Sequence, residues 1–136
     1  MFGKPHSSPW GAIQHCEALC PGIFEVDTAG HGGVMVHERY AAGILSPEAR
    51  SCGWRTHGYL CYEEDCDAAI VKRELMDKRL WEPSHVKDKA AYSKVLDESL
   101  QHWNPEYWWA REKSAATFAE KGEKTAPSRA KTDMAI

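Results

Sequence analysis

The residues best suited to chemistry lie in two short stretches, one rich in glycine and one acidic. Residues 30–33 read Gly-His-Gly-Gly, and residues 63–65 read Glu-Glu-Asp. A histidine beside a carboxylate can act as a general acid and base, and spare backbone N–H groups between glycines can hold an anion. If the protein is an enzyme, we therefore expect His31, Glu64 and Asp65 to be its catalytic residues.

Both stretches also have a structural interpretation. Residues 30–33 are typical of a hairpin turn whose glycines adopt positive φ. They are not a phosphate loop, because the Lys and Ser/Thr of that motif are missing and a strand is expected where the helix should follow. The acids at residues 63–65 are favoured at the start of a helix, where backbone N–H groups are free. These interpretations need no catalysis.

The cysteines do not indicate a metal site or a disulfide framework. There are five of them, and no export signal precedes them, so we expect reduced thiols in the cytoplasm. The pairs Cys16/Cys20 and Cys61/Cys66 are spaced almost like zinc ligands, but neither is the tight Cys-x2-Cys knuckle. We predict no metal and no cofactor. No local signature supports a cysteine nucleophile.

Composition and charge favour a single soluble domain and exclude several classes of ligand. The chain has 136 residues, 43% of them hydrophobic, and a formal net charge of −3. This balance argues against nucleic acid as a direct ligand. No stretch approaches the roughly 20 apolar residues that a membrane helix needs. Acidic residues outnumber arginines between residues 23 and 69, which suits a basic protein partner.

The elements that must position these residues are predicted to be strands first and helices afterwards. The predicted strands, which are bounded by turn residues, cover about residues 12–19, 23–28 and 34–37. The predicted helices, which begin at capping or apolar-periodic residues, cover about residues 46–52, 62–78, 84–102 and 104–121. The fold class is therefore α+β, with a small antiparallel β-meander of three or so strands followed by three to four α-helices.

The domain boundaries follow from the polar ends of the chain. We expect a flexible lead-in at residues 1–9 and a single α+β domain at residues 10–121. Residues 122–136 are rich in Lys, Thr, Ser, Pro and Ala and predict a disordered tail.

Several motifs in order resemble a small domain of unknown function found in phages, plasmids and integrative elements of bacteria. The motifs that carry the resemblance are Trp10-Gly11-x-x-Gln14, Thr28-x-x-His31-Gly32-Gly33, Glu38-Arg39 and Tyr62-Glu63-Glu64-Asp65-Cys66. Residues 10–75 are the recognisable part. One departure is the segment 55–61, which separates Trp54 from the acidic motif.

The resemblance implies a mobile-element accessory protein in the cytoplasm of a bacterial host. Small proteins of this kind often bind and inhibit a host protein, so a CRISPR or other anti-phage defence component is the expected partner. The candidate binding residues lie in the glycine turn, the acidic region and the Trp-rich helices: Gly32, Gly33, Glu38, Arg39, Trp54, Tyr62, Glu63, Glu64 and Trp108. The alternative is a small enzyme, hydrolase-like or nucleotide-directed, that uses His31 with a carboxylate of residues 63–65.

Overall fold

The computed structural model describes residues 3–122, with side chains as far as Ser114, and confirms an α+β fold. Its strands are β1 His15–Cys20, β2 Ile23–Asp27, β3 Gly32–His37, β4 Trp54–Thr56 and β5 Tyr59–Glu63. They form one antiparallel sheet in the order β1-β2-β3-β5-β4. The helices are α1 Glu38–Ile44, α2 Pro47–Cys52, α3 Ala68–Asp77, α4 Lys89–Trp103 and α5 Pro105–Gly122.

The helices cover one face of the sheet, because side chains alternate across each strand. The residues that face the helices are fully or almost fully buried: Ile23, Val34, Val36, Leu60 and Tyr62. The opposite face carries a second, smaller apolar cluster made of Phe24, Val26, Met35 and Cys61. No helix packs on this second cluster within the described residues; Trp10 and Ile13 of the N-terminal segment lie against it instead. This face is the helix-free face.

The sheet has five strands where about three were predicted. The additional pair is the β4–β5 hairpin, whose loop is His57-Gly58 with φ of 50° and 86°. Two positive φ values match the tight turn that suits the twist of paired strands. The predicted helix start at Tyr62 was wrong, because Tyr62 lies in β5 and α3 begins at Ala68. Consequently the acids of residues 63–65 end a strand and form a turn.

Two of the other helices start where the sequence predicted. Ser46 Oγ accepts a hydrogen bond from Ala49 N at 3.1 Å, and Pro47 occupies the first turn of α2. Helix α5 begins at Pro105, as the sequence predicted. Helix α4 starts later than predicted, because the cap is the Asp88 side chain rather than residue 84 or 85.

A buried carboxylate on α3 joins three helices. Glu74 Oε1 accepts from Ser46 N at 2.7 Å, and Oε2 accepts from Ser46 Oγ at 2.6 Å and from the Tyr107 hydroxyl at 2.7 Å. Its neighbour Arg73 is also buried and pairs with Asp97 of α4 at 2.8 Å. A buried charge is tolerated when hydrogen bonds satisfy it, so these two residues fix how the helices pack.

Two sequence expectations concern the ends of the chain. Residues 1–2 of the predicted lead-in and residues 123–136 of the predicted tail lie outside the described residues; Gly122 is the last residue of α5. Between residues 3 and 122, no helix is both long and apolar enough to cross a membrane.

Candidate functional site

The turn that carries His31 is held by Thr28 rather than by glycine φ angles. Thr28 N and Thr28 Oγ1 each lie 2.8 Å from His31 O, and His31 N donates to Thr28 Oγ1 at 3.2 Å. Gly30, Gly32 and Gly33 all have ordinary φ. The interpretation of this stretch as a turn that needs positive φ was therefore wrong, and the glycines have another role.

The glycine-rich and acidic stretches do meet at Gly32. Glu64 N donates to Gly32 O at 3.0 Å, because β3 and β5 are neighbours. A Cβ placed on Gly32 would lie 3.2 Å from both Glu64 Oε1 and Asp27 Oδ1. Two carboxylates thus flank Gly32. Sequence reasoning missed Asp27, although its place at the end of the β2 pattern was a signal.

The His31 imidazole does not join this cluster. His31, Glu64 and Asp65 are all exposed. Within the described residues the His31 ring makes no hydrogen bond or ion pair with Glu63, Glu64 or Asp65, and Glu63 Oε1 accepts only from the Cys66 thiol, at 3.8 Å. An acid–base dyad needs both groups within hydrogen-bond reach, and that geometry is not formed here. Side chains of residues 3–114 also contain no group of three His, Cys, Asp or Glu that could hold a metal ion.

The cysteines are poorly suited to nucleophilic chemistry. Burial raises the pKa of the Cys61 thiol to about 12. Burial also raises the pKa of Cys16, Cys20, Cys52 and Cys66 above the ordinary value, and nearby acids add to the effect at the last two. A reactive cysteine needs a lowered pKa, so these thiols stay protonated at neutral pH.

Gly33 receives an aromatic ring on the helix-free face. A Cβ on Gly33 would lie 2.5 Å from Trp10 Cη2 and would also collide with the Tyr62 carbonyl oxygen. Trp10 in turn meets Trp54 of β4 edge to face, with ring centroids 5.9 Å apart and an interplanar angle of 80°. Trp54 remains 44% exposed. We call Trp10 and Trp54 the aromatic pair.

A cationic cleft lies beside β4 on the helix-bearing side of the sheet. It has a volume of about 240 Å³, and its charged lining consists of Glu38, Arg39, Arg50 and Arg55. Glu38 forms an ion pair with Arg55, and Arg50 Nε donates to Leu45 O at 3.3 Å. Arg39 is exposed and makes no ion pair with any residue that the structure describes. The cleft therefore has more positive than negative charge, in a chain whose net charge is −3.

Two predicted binding residues have mainly packing roles. Tyr62 is completely buried and its hydroxyl donates to Ala49 O at 2.7 Å, so it cannot contact a partner in this structure. Burial raises the pKa of Tyr62 far above that of free tyrosine. Trp108 is half-buried, with the Arg111 guanidinium 5.4 Å from its ring centre. Trp103, at the end of α4, and Trp109, in α5, are 56% and 39% exposed.

Comparison with known proteins identifies a protein family for this chain. A family model described as "Domain of unknown function (DUF7007)" matches residues 3–135. No curated protein and no solved structure matches the chain.

Proposed function

We propose that this chain, which belongs to the DUF7007 family of domains of unknown function, is a non-enzymatic protein that binds another protein through its aromatic pair. The observation that carries the proposal is the exposure of Trp54 on the helix-free face. Exposed tryptophans supply much of the binding energy at protein interfaces when they are surrounded by groups that exclude water.

The aromatic pair is suited to this role because it is fixed before any partner arrives. Trp10 packs on Gly33, and Trp54 packs on Trp10, so neither ring moves freely. A side chain that is already ordered loses little conformational entropy on binding. Arg55 follows Trp54 in β4, with its side chain on the other face of the sheet, and its ion pair with Glu38 would contribute more to partner choice than to affinity.

The proposed setting is a mobile genetic element, and the proposed partner is a bacterial host protein such as a CRISPR or other defence component. The resemblance to small phage and plasmid domains supports this setting. The acidic turn at residues 63–65 is exposed at two of its three positions and is a second candidate contact. Charge reversal there, Glu63→Lys with Glu64→Lys, should weaken binding to a basic partner and leave the fold intact.

The test compares two tryptophan variants of similar exposure. Wild type, Trp54→Ala and Trp109→Ala would be immobilised and exposed to host lysate, and the retained protein would be identified and titrated by calorimetry. We expect Trp54→Ala to weaken binding by about 2 kcal/mol, or roughly thirtyfold, because interface tryptophans are frequent hot spots. Trp109→Ala should bind like wild type. Equal affinity of all three would refute the assignment of the aromatic pair.

The alternative function is a small enzyme that uses His31 with a carboxylate of residues 63–65. It predicts a different outcome for His31→Ala. In the binding proposal this variant retains the partner and the biological effect. If His31→Ala retained its fold and its partner but lost the biological effect, catalysis would be favoured. The proposal that the protein acts by binding alone would then be wrong.

A further inference from the structure

The outer strand β4 offers a backbone hydrogen-bonding position at its open edge. A two-residue hairpin loop closes on a hydrogen-bonded residue pair, which here is Thr56 and Tyr59. Hydrogen-bonded and non-hydrogen-bonded pairs alternate along an antiparallel ladder. The next pair, Arg55 and Leu60, is therefore non-hydrogen-bonded, so the N–H and C=O of Arg55 point away from β5. In the described part of the chain no other backbone group pairs with them.

The side chains of β4 have different chemistry on the two faces of the sheet. Arg55 pairs with Leu60, which faces the helices, so its side chain lies on the side of the cationic cleft. Trp54 pairs with Cys61 and belongs to the helix-free face. A strand added beside β4 would place alternate side chains against the cleft and against the aromatic pair.

We propose that an extended segment of the partner protein adds to β4 as a sixth strand, with an acidic residue opposite Arg55 and an apolar residue beside Trp54. The proposal rests on the proposed function, because it takes a protein as the ligand. Main-chain hydrogen bonds to Arg55 provide the docking, and the two neighbouring side chains provide the specificity.

The positive charge of the cleft favours an acidic residue at the position of the partner segment that faces it. Glu38 already pairs with Arg55. Arg39 has no ion pair within the described residues, and the Nη atoms of Arg50 form no ion pair with a carboxylate there either. A carboxylate from the partner can accept two hydrogen bonds from one guanidinium, in the geometry that arginine favours. A lysine at the same place would add positive charge to a cleft that already has an excess of it.

The same features have a second physical use, which the experiment must separate from docking. Short, charged outer strands protect a sheet from unwanted edge-to-edge pairing, and β4 has three residues, one of them Arg55. If protection is the only role of Arg55, an acidic extended peptide gains nothing at this edge.

The experiment titrates the ¹⁵N-labelled full chain with short peptides. The first peptide is acetyl-Thr-Val-Glu-Val-Thr-amide, and two controls have Lys in place of Glu or an N-methyl group on the Glu nitrogen. We expect the first peptide to shift the amide signals of residues 54–56 and to slow hydrogen exchange at Arg55. Both controls should bind about tenfold more weakly. No binding by the first peptide, or equal binding by all three, would overturn the proposal.

Protein variants provide a second readout that does not depend on β4 itself. Arg39→Glu removes an exposed cation of the cleft, and Lys94→Glu makes the same charge change on the exposed side of α4. Only Arg39→Glu should weaken the acidic peptide and strengthen the lysine peptide. This test can fail without refuting the proposed function. If capture of a partner depends on Trp54 while the acidic peptide fails to bind, strand addition at β4 is wrong and the binding function stands.

Discussion

Two hydroxyl groups from distant parts of the sequence share one carboxylate oxygen of Glu74, so we expect their contributions to stability to be coupled. Ser46 Oγ and the Tyr107 hydroxyl both donate to Glu74 Oε2, at 2.6 and 2.7 Å. Removing either hydroxyl still leaves Glu74 Oε2 with one hydrogen-bond donor. We therefore expect the double variant Ser46→Ala, Tyr107→Phe to lose more stability than the sum of the losses in the two single variants.

The expected magnitudes follow from the bonds lost. A hydrogen bond to a charged group contributes about 1.5–3 kcal/mol, so we expect Tyr107→Phe to lower the free energy of unfolding by about 2 kcal/mol. Ser46→Ala should cost slightly more, because Ser46 Oγ also caps α2 by accepting from Ala49 N. In the double variant Oε2 is buried without either donor. Its desolvation should add a coupling of about 1 kcal/mol or more.

Urea denaturation followed by tryptophan fluorescence and circular dichroism would measure the four free energies of the cycle. Tyr92→Phe is the matched control, because this half-buried tyrosine donates no hydrogen bond to the described residues and should change stability little. Additivity within about 0.5 kcal/mol would refute the reasoning. It would mean that the two hydroxyls do not share Oε2 or that water replaces them without cost.

Two further predictions concern the sheet. Gly33→Ala should lower the free energy of unfolding by about 1–3 kcal/mol and change the fluorescence emission of Trp10, because the new Cβ would lie 2.5 Å from the Trp10 ring. The control is Gly43→Ala, because a Cβ at Gly43 in α1 meets open space. In the same urea denaturation this control should have unchanged or increased stability. Burial raises the pKa of Cys61 in the folded protein to about 12, so above pH 9 the thiol loses its proton in the unfolded state but keeps it in the folded state. The free energy of unfolding should therefore fall by up to about 1.4 kcal/mol per pH unit between about pH 9 and pH 12. Cys61→Ala should show a shallower fall in denaturation midpoints, and an identical pH profile would contradict the assignment.

Local signals in the sequence were sufficient for the starts of two helices. Ser46 followed by Pro47 and Asn104 followed by Pro105 each combine a cap with a first-turn proline, and helices α2 and α5 start there. The β4–β5 hairpin was missed for a local reason as well. Its loop has His57 where Asn, Asp or Gly is typical, and the helical periodicity of α3 extends by chance back to Tyr62.

The candidate site was only partly predictable, because its geometry depends on long-range contacts. The Glu64–Gly32 hydrogen bond brings the glycine-rich and acidic stretches together. The direction of the His31 side chain, however, depends on how Thr28 holds the turn, and no spacing rule encodes that. Likewise, nothing in the neighbourhood of Gly33 in the sequence indicates that Trp10 will occupy the space above it.

The distribution of charge between core and surface supports the proposed binding function. Among the residues whose side chains the structure describes, the two buried charged ones, Arg73 and Glu74, have hydrogen-bonded partners that tie helices together. The candidate catalytic groups are exposed, where water weakens the electrostatic interactions that would stabilise a transition state. A binding surface has the opposite requirement, namely apolar area that is exposed yet rigid. Trp54, held by the ring of Trp10 while 44% exposed, meets that requirement.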